Sequence, residues 1–244
     1  MLSLLARAPR SALAGTTTFS NGQTDQWQFS AAANIVPDGG NPGAYMAFQA
    51  IDTFGINVFN DSNPEFIGSV YQSPVTISID VQTNSITFMG NQVSRDLFVE
   101  LSDTSTPNEG GYPGTSLFYD LGTMSSFTPG WIHYSVTITD PNSTVLPPGW
   151  SGTGAEDANG NPILPPGQTF ASVLQNVDSI NFTTFEPGFV FGDTNFDLGF
   201  DNLGVNAVPE PSSLTLLGIA VLGLAGIARQ KVSRRASRLQ CRGD

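Results

Sequence analysis

The 244-residue sequence is short of the residue types on which many catalytic and metal sites depend. It contains one histidine, His133, and one cysteine, Cys241, which lies close to the carboxyl terminus. A single cysteine excludes an intrachain disulfide, and one histidine is too few for a zinc cluster. A Ser-His-Asp triad would need His133 as its base, and no Gly-x-Ser-x-Gly motif accompanies it. These shortages exclude most nucleophilic and zinc-dependent enzymes.

Basic residues are nearly absent from the middle of the chain. Between Gly15 and Pro211, Arg95 is the only basic residue and stands against twenty aspartates and glutamates. Nucleic acids and anionic lipid surfaces are bound through clustered positive charge, and this segment has no positively charged patch for either partner. Two interpretations of the acidic charge remain open. It keeps an exported domain soluble, or some of its carboxylates bind a divalent cation.

Acidic residues alone are sufficient for glycosidase chemistry, which uses a pair of carboxyl groups. The sequence lacks, however, the Glu-x-Asp-x-x-Glu strand motif that is typical of glycosidases with a sandwich fold. Together with the shortage of histidine and cysteine, this absence leaves no recognisable catalytic constellation. We therefore expect a protein that is not an enzyme.

Long apolar runs are also absent, with one exception near the carboxyl terminus. Residues 214–228 carry no charge, and a cluster of basic residues follows at once. Such a helix reaches about 22 Å, and residues 211–213 together with snorkelling basic side chains extend it towards the ~30 Å hydrocarbon core. A buried soluble helix would need an amphipathic pattern, so we predict a transmembrane helix over residues 212–228. The positive-inside rule then places its basic end in the cytoplasm.

Pro209, Glu210 and Pro211 stand immediately before this run. A Pro-Glu-Pro triplet followed by an apolar helix and a basic cluster resembles the PEP-CTERM sorting signal of Gram-negative bacteria that make exopolysaccharide. The resemblance makes residues 208–244 the sorting signal and implies cleavage at the triplet by a transpeptidase-like exosortase. It also implies a protein that is anchored transiently in the membrane and then reaches the cell surface or the extracellular matrix.

The amino terminus has some features of an export signal. Arg7 and Arg10 flank a short apolar stretch, and Ala12-Leu13-Ala14 has the small-residue pattern of a signal-peptidase site. The apolar region of a normal signal peptide is interrupted here. We therefore interpret residues 1–14 as the remnant of a truncated signal peptide with a misplaced start codon, and residues 15–207 as the exported domain.

Alternation of apolar and polar residues dominates residues 15–207. Apolar side chains occupy every second position over residues 75–81, and residues 97–101 and 132–138 repeat the pattern, which is typical of strands with one wet face. One short helix is predicted over residues 169–176. Further strands are expected at residues 27–31, 45–51, 55–59, 116–121, 179–185 and 196–205. The nine or ten strands predict an all-β fold, an antiparallel β-sandwich.

A second resemblance concerns this domain. Asn41-Pro42-Gly43-Ala44-Tyr45 precedes one strand, and Asp201-Asn202-Leu203-Gly204-Val205 closes the domain. Similar segments recur in jelly-roll modules related to laminin domain IV and to galactose-binding-like domains. The resemblance implies a jelly-roll-like sandwich, although Ala44 and Phe200 stand where the family has glycine and leucine.

Two stretches are candidates for structural Ca²⁺, which prefers six to eight oxygen ligands. The segment Asp157-Ala158-Asn159-Gly160-Asn161 begins like an EF-hand loop, but Pro162 stands where that loop requires glycine. In galactose-binding-like jelly rolls a calcium often uses a carboxylate near the last strand, and the residues at that place here are Asp193, Asp197, Asp201 and Asn202. Turns formed by aspartate, asparagine and glycine need no metal, so both alternatives remain open.

Two aromatic residues in loops rich in proline and glycine are candidate carbohydrate platforms. Trp150 lies within residues 147–152, and Tyr112 lies within residues 110–114. An aromatic side chain in such a loop can instead plug the end of the sandwich. Two functions therefore stay open: a non-catalytic structural or adhesive protein linked to exopolysaccharide, and a lectin-like carbohydrate-binding module that uses Ca²⁺ or does without it.

Overall fold

The structure is a computed structural model that describes residues 15–105 and 112–208. The sequence predictions for residues 1–14, for the Pro209-Glu210-Pro211 triplet and for the helix over residues 212–228 lie outside these ranges. Within them, the chain forms strands, one 3₁₀ turn at Gly68–Gln72 and one α-helix, α1, at Phe170–Leu174. No helix in the described part of the chain has the length and apolar character needed to cross a bilayer.

Fifteen strands are present in the described ranges. In chain order they are β1 (Gly15–Thr17), β2 (Gln28–Phe29), β3 (Ala32–Gly40), β4 (Gly43–Thr53), β5 (Asn57–Asn60), β6 (Val75–Phe88), β7 (Asn91–Gln92), β8 (Arg95–Asp103), β9 (Thr115–Met124), β10 (Trp131–Ile138), β11 (Trp150–Thr153), β12 (Ala155–Glu156), β13 (Pro162–Ile163), β14 (Ser179–Thr183) and β15 (Thr194–Ala207).

The strands form two antiparallel sheets and one small hairpin. The first sheet has the order β10-β6-β15-β4-β3, with β1 beside β15 and β7 beside β6, and the second has the order β11-β9-β8-β14-β5-β2. The short strands β12 and β13 pair only with each other. Phe29 of the second sheet lies 6.4 Å from Phe48 and 6.3 Å from Phe200 of the first, measured between ring centroids. The two sheets therefore pack face to face as the predicted antiparallel β-sandwich.

The predicted alternation places the core between the sheets. Ile77 and Ile79 of β6 are completely buried, as are Leu97, Val99 and Leu101 of β8. Burying one such side chain contributes about 1.5–3 kcal/mol, and the core contains several dozen buried apolar residues. This core lies entirely within the sandwich, so the domain has its own hydrophobic interior and needs no disulfide to hold it.

The helix predicted over residues 169–176 is present in a shorter form as α1. Thr169 begins it with a capping box: Ser172 N donates to Thr169 Oγ1 at 3.1 Å, and Thr169 N donates to Ser172 Oγ at 2.8 Å. These bonds satisfy backbone groups that the first turn leaves without partners. Phe170 is fully buried, so the helix closes one edge of the core.

Strand β3 was not predicted from the sequence, because its second half, residues 37–40, contains proline and two glycines. It lies at the edge of the first sheet and pairs only with β4. An edge strand tolerates proline, since a missing N–H on its outer side costs no ladder hydrogen bond. The pairing register shifts between Val36 and Gly40, where the strand departs from regular geometry.

Candidate functional site

A groove of about 270 Å³ lies on the face of the second sheet that points away from the core. Its floor is formed by paired residues of neighbouring strands. Glu100 of β8 pairs with Phe118 of β9, and Thr183 of β14 pairs with Asn57 of β5. Side chains alternate along a strand, and the neighbouring Leu101 points into the core, so these floor residues point outward.

Three segments of chain form the walls of the groove. They are residues 112–114 before β9, Pro162 in β13, and residues 185–188 after β14. Phe185 is 40% exposed and its ring packs against the backbone at Gly55. A Cβ atom at Gly55 would lie 2.9 Å from this ring, so the glycine is what allows the close approach.

A hydrogen-bond network holds the polar part of the floor. Asn181 Nδ2 donates to Asn57 Oδ1 at 2.8 Å and to Glu100 Oε2 at 3.2 Å. Both partners are acceptors, which fixes the orientation of the Asn181 amide. Ser102 Oγ donates to Glu100 Oε1 at 3.2 Å, so each oxygen of the Glu100 carboxylate accepts one hydrogen bond from a neutral donor. The carboxylate is held in place while its charge is left uncompensated.

Tyr112, one of the two predicted carbohydrate residues, forms part of the groove wall. Its hydroxyl donates to Glu156 Oε1 at 3.2 Å. Burial, the hydrogen bond to Glu156 and the negative charge of that carboxylate raise the pKa of the Tyr112 phenol. The phenol therefore stays protonated and acts as a hydrogen-bond donor on an aromatic wall.

Trp150, the other predicted carbohydrate residue, is not the exposed side chain that we expected, although it contributes to the lining of a second cavity of about 270 Å³. Its side chain is only 8% exposed and lies between Tyr119 at 5.3 Å and Phe170 at 5.1 Å, measured between ring centroids. The residue begins β11 and pairs with Tyr119, which turns the indole towards the core. Of the two alternatives that the sequence left open, the structure supports the plug at the edge of the sandwich.

The residues predicted as calcium ligands do not converge on one point. Asp193 precedes β15 and is exposed, Asp197 lies within the strand, and Asp201 follows four residues later. At about 3.3 Å per residue of extended chain, Asp193 and Asp201 are about 26 Å apart, so they cannot share a cation. Asp197 accepts a hydrogen bond from Asn84 Nδ2 at 3.0 Å on the adjacent strand.

Asp201 and Asn202 belong instead to a hydrogen-bonded cluster on the outer face of the first sheet. This cluster, the polar tie, also contains Asn41, Asp80 and His133. Asp201 is fully buried and accepts from Asn41 N at 2.6 Å and from Asn202 N at 2.8 Å. Asp80 accepts from Asn202 Nδ2 at 2.7 Å and from Asn41 Nδ2 at 3.0 Å, and His133 Nδ1 lies 2.6 Å from its other oxygen. Burial raises the pKa of Asp201, the two backbone hydrogen bonds oppose this, and the nearby Asp80 adds to it.

These contacts hold neighbouring segments of the chain together. They connect the turn between β3 and β4 to β6 and β15, and N–H groups occupy the carboxylate oxygens that a cation would need. Among residues 15–105 and 112–208, no three histidine, cysteine, aspartate or glutamate side chains are grouped so that they could hold a metal ion.

The segment that begins like an EF-hand loop forms a turn closed by its own side chain. Asp157 Oδ1 accepts from Asn159 N at 2.8 Å and from Asn161 N at 2.9 Å, while Oδ2 accepts from Asn161 Nδ2 at 2.9 Å. The hydrogen bonds from Asn161 and then Asn159 lower the pKa of Asp157. Gly160 has a φ of 80°, as such a turn requires.

Several residues of the groove were not identified from the sequence. Glu100 and Phe118 sit at outward-facing positions of correctly predicted strands, and Asn181 does the same on β14. An aromatic residue on the outward face of a strand was a usable signal for Phe118. Nothing in the sequence places Phe185 beside Tyr112, because that proximity depends on how β9 and β14 are ordered in the sheet.

Solved structures to which this chain is similar include carbohydrate-binding modules. One is a fragment of xylanase 10B from Clostridium thermocellum, which contains a family 22 module and the catalytic module. It is 13% identical, the match covers 79% of this chain and 28% of that chain, and the TM-score is 0.45. A xylan-binding family 22 module is 12% identical over 82% of this chain and 97% of its own, with a TM-score of 0.43. The family 11 module of Clostridium thermocellum is 16% identical over 86% and 96%, with a TM-score of 0.39. Likenesses of this size do not transfer a ligand to this chain.

No curated protein matches the sequence at a significant level. The PEP-CTERM protein-sorting motif matches residues 207–230, which contain the Pro-Glu-Pro triplet and the apolar run. This agrees with the resemblance found in the sequence. The chain therefore carries the PEP-CTERM sorting signal, which marks it as an exported, exosortase-processed surface protein.

Proposed function

We propose that the exported sandwich is a non-catalytic surface protein that binds a polysaccharide chain in the groove of the second sheet. The observation that carries the proposal is the groove itself, whose lining combines the aromatic side chains of Tyr112 and Phe185 with a floor that contains Glu100 and Asn57. This combines the carbohydrate-binding alternative with the surface or matrix role.

The chemistry of the groove matches the two kinds of surface on a sugar ring. The C–H face of a pyranose is apolar and packs against flat aromatic side chains, which bury much area at low conformational cost. The hydroxyl groups at the ring edge need donors and acceptors, and binding sites typically provide a few such groups within an apolar lining. Glu100, Asn57 and the Tyr112 hydroxyl are groups of this kind.

The sorting signal supports a location for this activity. Cleavage at Pro209, Glu210 and Pro211 would remove the apolar run and the basic cluster that we expect to stay on the cytoplasmic side. The acidic domain would then be released or attached at the cell surface or in the extracellular matrix, and an exopolysaccharide of the producing cell is the expected partner. The strand order, in which the chain passes repeatedly between the two sheets, is compatible with a jelly-roll-like arrangement.

The proposal is tested with the full chain in a zwitterionic detergent, which has no sugar headgroup. Binding to a panel of soluble polysaccharides is measured by affinity electrophoresis and then by calorimetry for each one retained. We expect saturable binding to at least one, weakened about tenfold by Tyr112→Ala and by Phe185→Ala, which corresponds to roughly 1.4 kcal/mol. The matched control is Phe127→Ala, because Phe127 is 73% exposed and lies outside the groove.

Three results would contradict the proposal or a part of it. Failure of every polysaccharide to bind would favour a purely structural role without a specific ligand. Equal loss of binding in Phe127→Ala and Tyr112→Ala would place the ligand elsewhere on the domain. Release of new reducing ends from a bound polysaccharide would overturn the non-catalytic part.

A further inference from the structure

We infer that the groove selects sugar units that carry a free, positively charged amino group, so that its ligand is an amino-sugar polymer. This inference rests on the proposed function and names the class of glycan that the same groove takes. Three features support it: the charge of the groove lining, the position of the domain's single arginine and an unpaired acceptor beside the floor.

The first observation is that every charged side chain in the groove lining is negative. Glu100 in the floor and Glu186 in the wall both carry carboxylates, and the lining contains no basic side chain. The neutral donors Asn181 and Ser102 orient the Glu100 carboxylate without cancelling its charge. A ligand with carboxylate or sulfate groups would bring like charges together in the groove, whereas an ammonium group would supply the missing opposite charge.

The second observation is that the domain's single arginine is committed elsewhere. Arg95 lies at 4.5 Å over the ring of Phe191, donates from Nη2 to Thr194 Oγ1 at 2.8 Å and donates from Nη1 to Ser94 O at 2.8 Å. It is not part of the groove lining. Between Gly15 and Pro211 the sequence has no lysine and no other arginine that could neutralise an anionic sugar.

The third observation is an acceptor without a donor. Asn181 lies between the groove-lining residues Glu100 and Asn57, and the hydrogen bonds to both use its amide nitrogen. Its Oδ1 is buried and has no hydrogen-bond partner among the described residues. No described donor satisfies this oxygen, and the donors that do reach the floor are neutral, so nothing there compensates the negative charge of Glu100.

The test compares three tetrasaccharides by calorimetry with the full chain at low salt. They are a β-1,4-linked glucosamine tetramer, the N-acetylglucosamine tetramer of the same linkage and a uronic acid tetramer. We expect the amino tetramer to bind at least tenfold more tightly than its acetylated counterpart, with the difference shrinking as salt is added, and no binding of the uronate. The amino and acetylated tetramers share a backbone, so their difference reports the amine.

Variants separate recognition in the groove from general attraction to an acidic protein. Glu186→Gln and Glu100→Gln each should reduce the preference for the amino tetramer severalfold. Glu186 is exposed, so its substitution does not put folding at risk. The matched control is Glu65→Gln, which makes the same change in net charge at an exposed position outside the groove and should leave the preference unchanged.

The outcomes distinguish this inference from the proposed function. Equal affinity for the amino and acetylated tetramers, or no binding of the amino tetramer, overturns the inference, and saturable binding of a neutral polysaccharide would leave the proposed function standing. Equal effects of Glu65→Gln and Glu186→Gln also overturn it, because the attraction would then be general. The proposed function fails separately, when neither the tetramers nor any polysaccharide binds.

Discussion

Tyr112 and Trp150 lie in loops of the same composition, yet the fold places them in different surroundings. Tyr112 precedes β9 and stands in the groove wall, whereas Trp150 begins β11 and turns into the core. The difference is decided by the pairing of Trp150 with Tyr119, which lies far away in sequence. Loop composition alone therefore cannot predict whether such an aromatic side chain lines a groove or packs into the core.

The buried position of Trp150 predicts a defect in stability. Trp150→Ala should lower the free energy of unfolding by about 3–5 kcal/mol, because it leaves a cavity between the rings of Tyr119 and Phe170. The change is measured by urea unfolding of the full chain. Phe127→Ala, at an exposed position, should change it by less than about 0.5 kcal/mol. Wild-type stability together with lost glycan binding would restore Trp150 as a platform.

Two aspartates with opposite pKa shifts predict opposite effects of acid on stability. The pKa of Asp201 is raised by burial, so the folded state holds this proton more tightly than the unfolded state does. Ionised Asp201 therefore costs stability at neutral pH, and the cost disappears as the pH falls through the raised pKa. Urea unfolding at a series of pH values should show wild type gaining stability relative to Asp201→Asn as the pH falls.

Asp157 provides the matched comparison. The hydrogen bonds from Asn161 and Asn159 lower its pKa, so its ionised form stabilises the folded state above the ordinary aspartate pKa. That contribution is lost as the pH falls through the lowered pKa, and wild type should lose stability relative to Asp157→Asn. Slopes of the same sign for the two variants would contradict the assignment.

Among the elements of the fold, the long strands with strict alternation were predictable and the irregular ones were not. The pattern over residues 75–81 and 132–138 located β6 and β10, because one face of each strand is buried against the second sheet. Strand β3 was not predicted because its proline and glycines are typical of turns. Its position as an edge strand removes the constraint that would exclude them.

The groove cannot be predicted from the positions of the strands in the sequence alone. Its floor joins β5, β8, β9 and β14, and the sequence does not reveal that β14 inserts between β5 and β8. Only this order brings Asn57 next to Thr183, and Glu100 next to Asn181. A single-residue shift of register would turn Glu100 towards the core, so the site depends on the strand pairing as much as on residue type.

For the molecule as a whole, charge is the dominant constraint. The formal net charge of the full chain is −12, and the exported part is more acidic still, because most basic residues lie beyond the sorting triplet. Mutual repulsion of these carboxylates opposes compaction and is relieved when cations gather around the domain. Such nonspecific accumulation of cations needs no binding site. A calcium ion held by the four predicted ligands would need one.

Thermal unfolding of the full chain separates the two effects. We expect millimolar Ca²⁺ and the same concentration of Mg²⁺ to raise the unfolding midpoint equally relative to EDTA, since screening depends on the charge of the ion. A specific site would raise the unfolding midpoint further, by an amount set by its dissociation constant. It would favour Ca²⁺, which tolerates more ligands and looser geometry than Mg²⁺. A rise of several degrees with Ca²⁺ alone would contradict the structural role assigned to Asp201 and Asn202. In that case Asp193→Asn, Asp197→Asn and Asp201→Asn would show which carboxylates hold the ion.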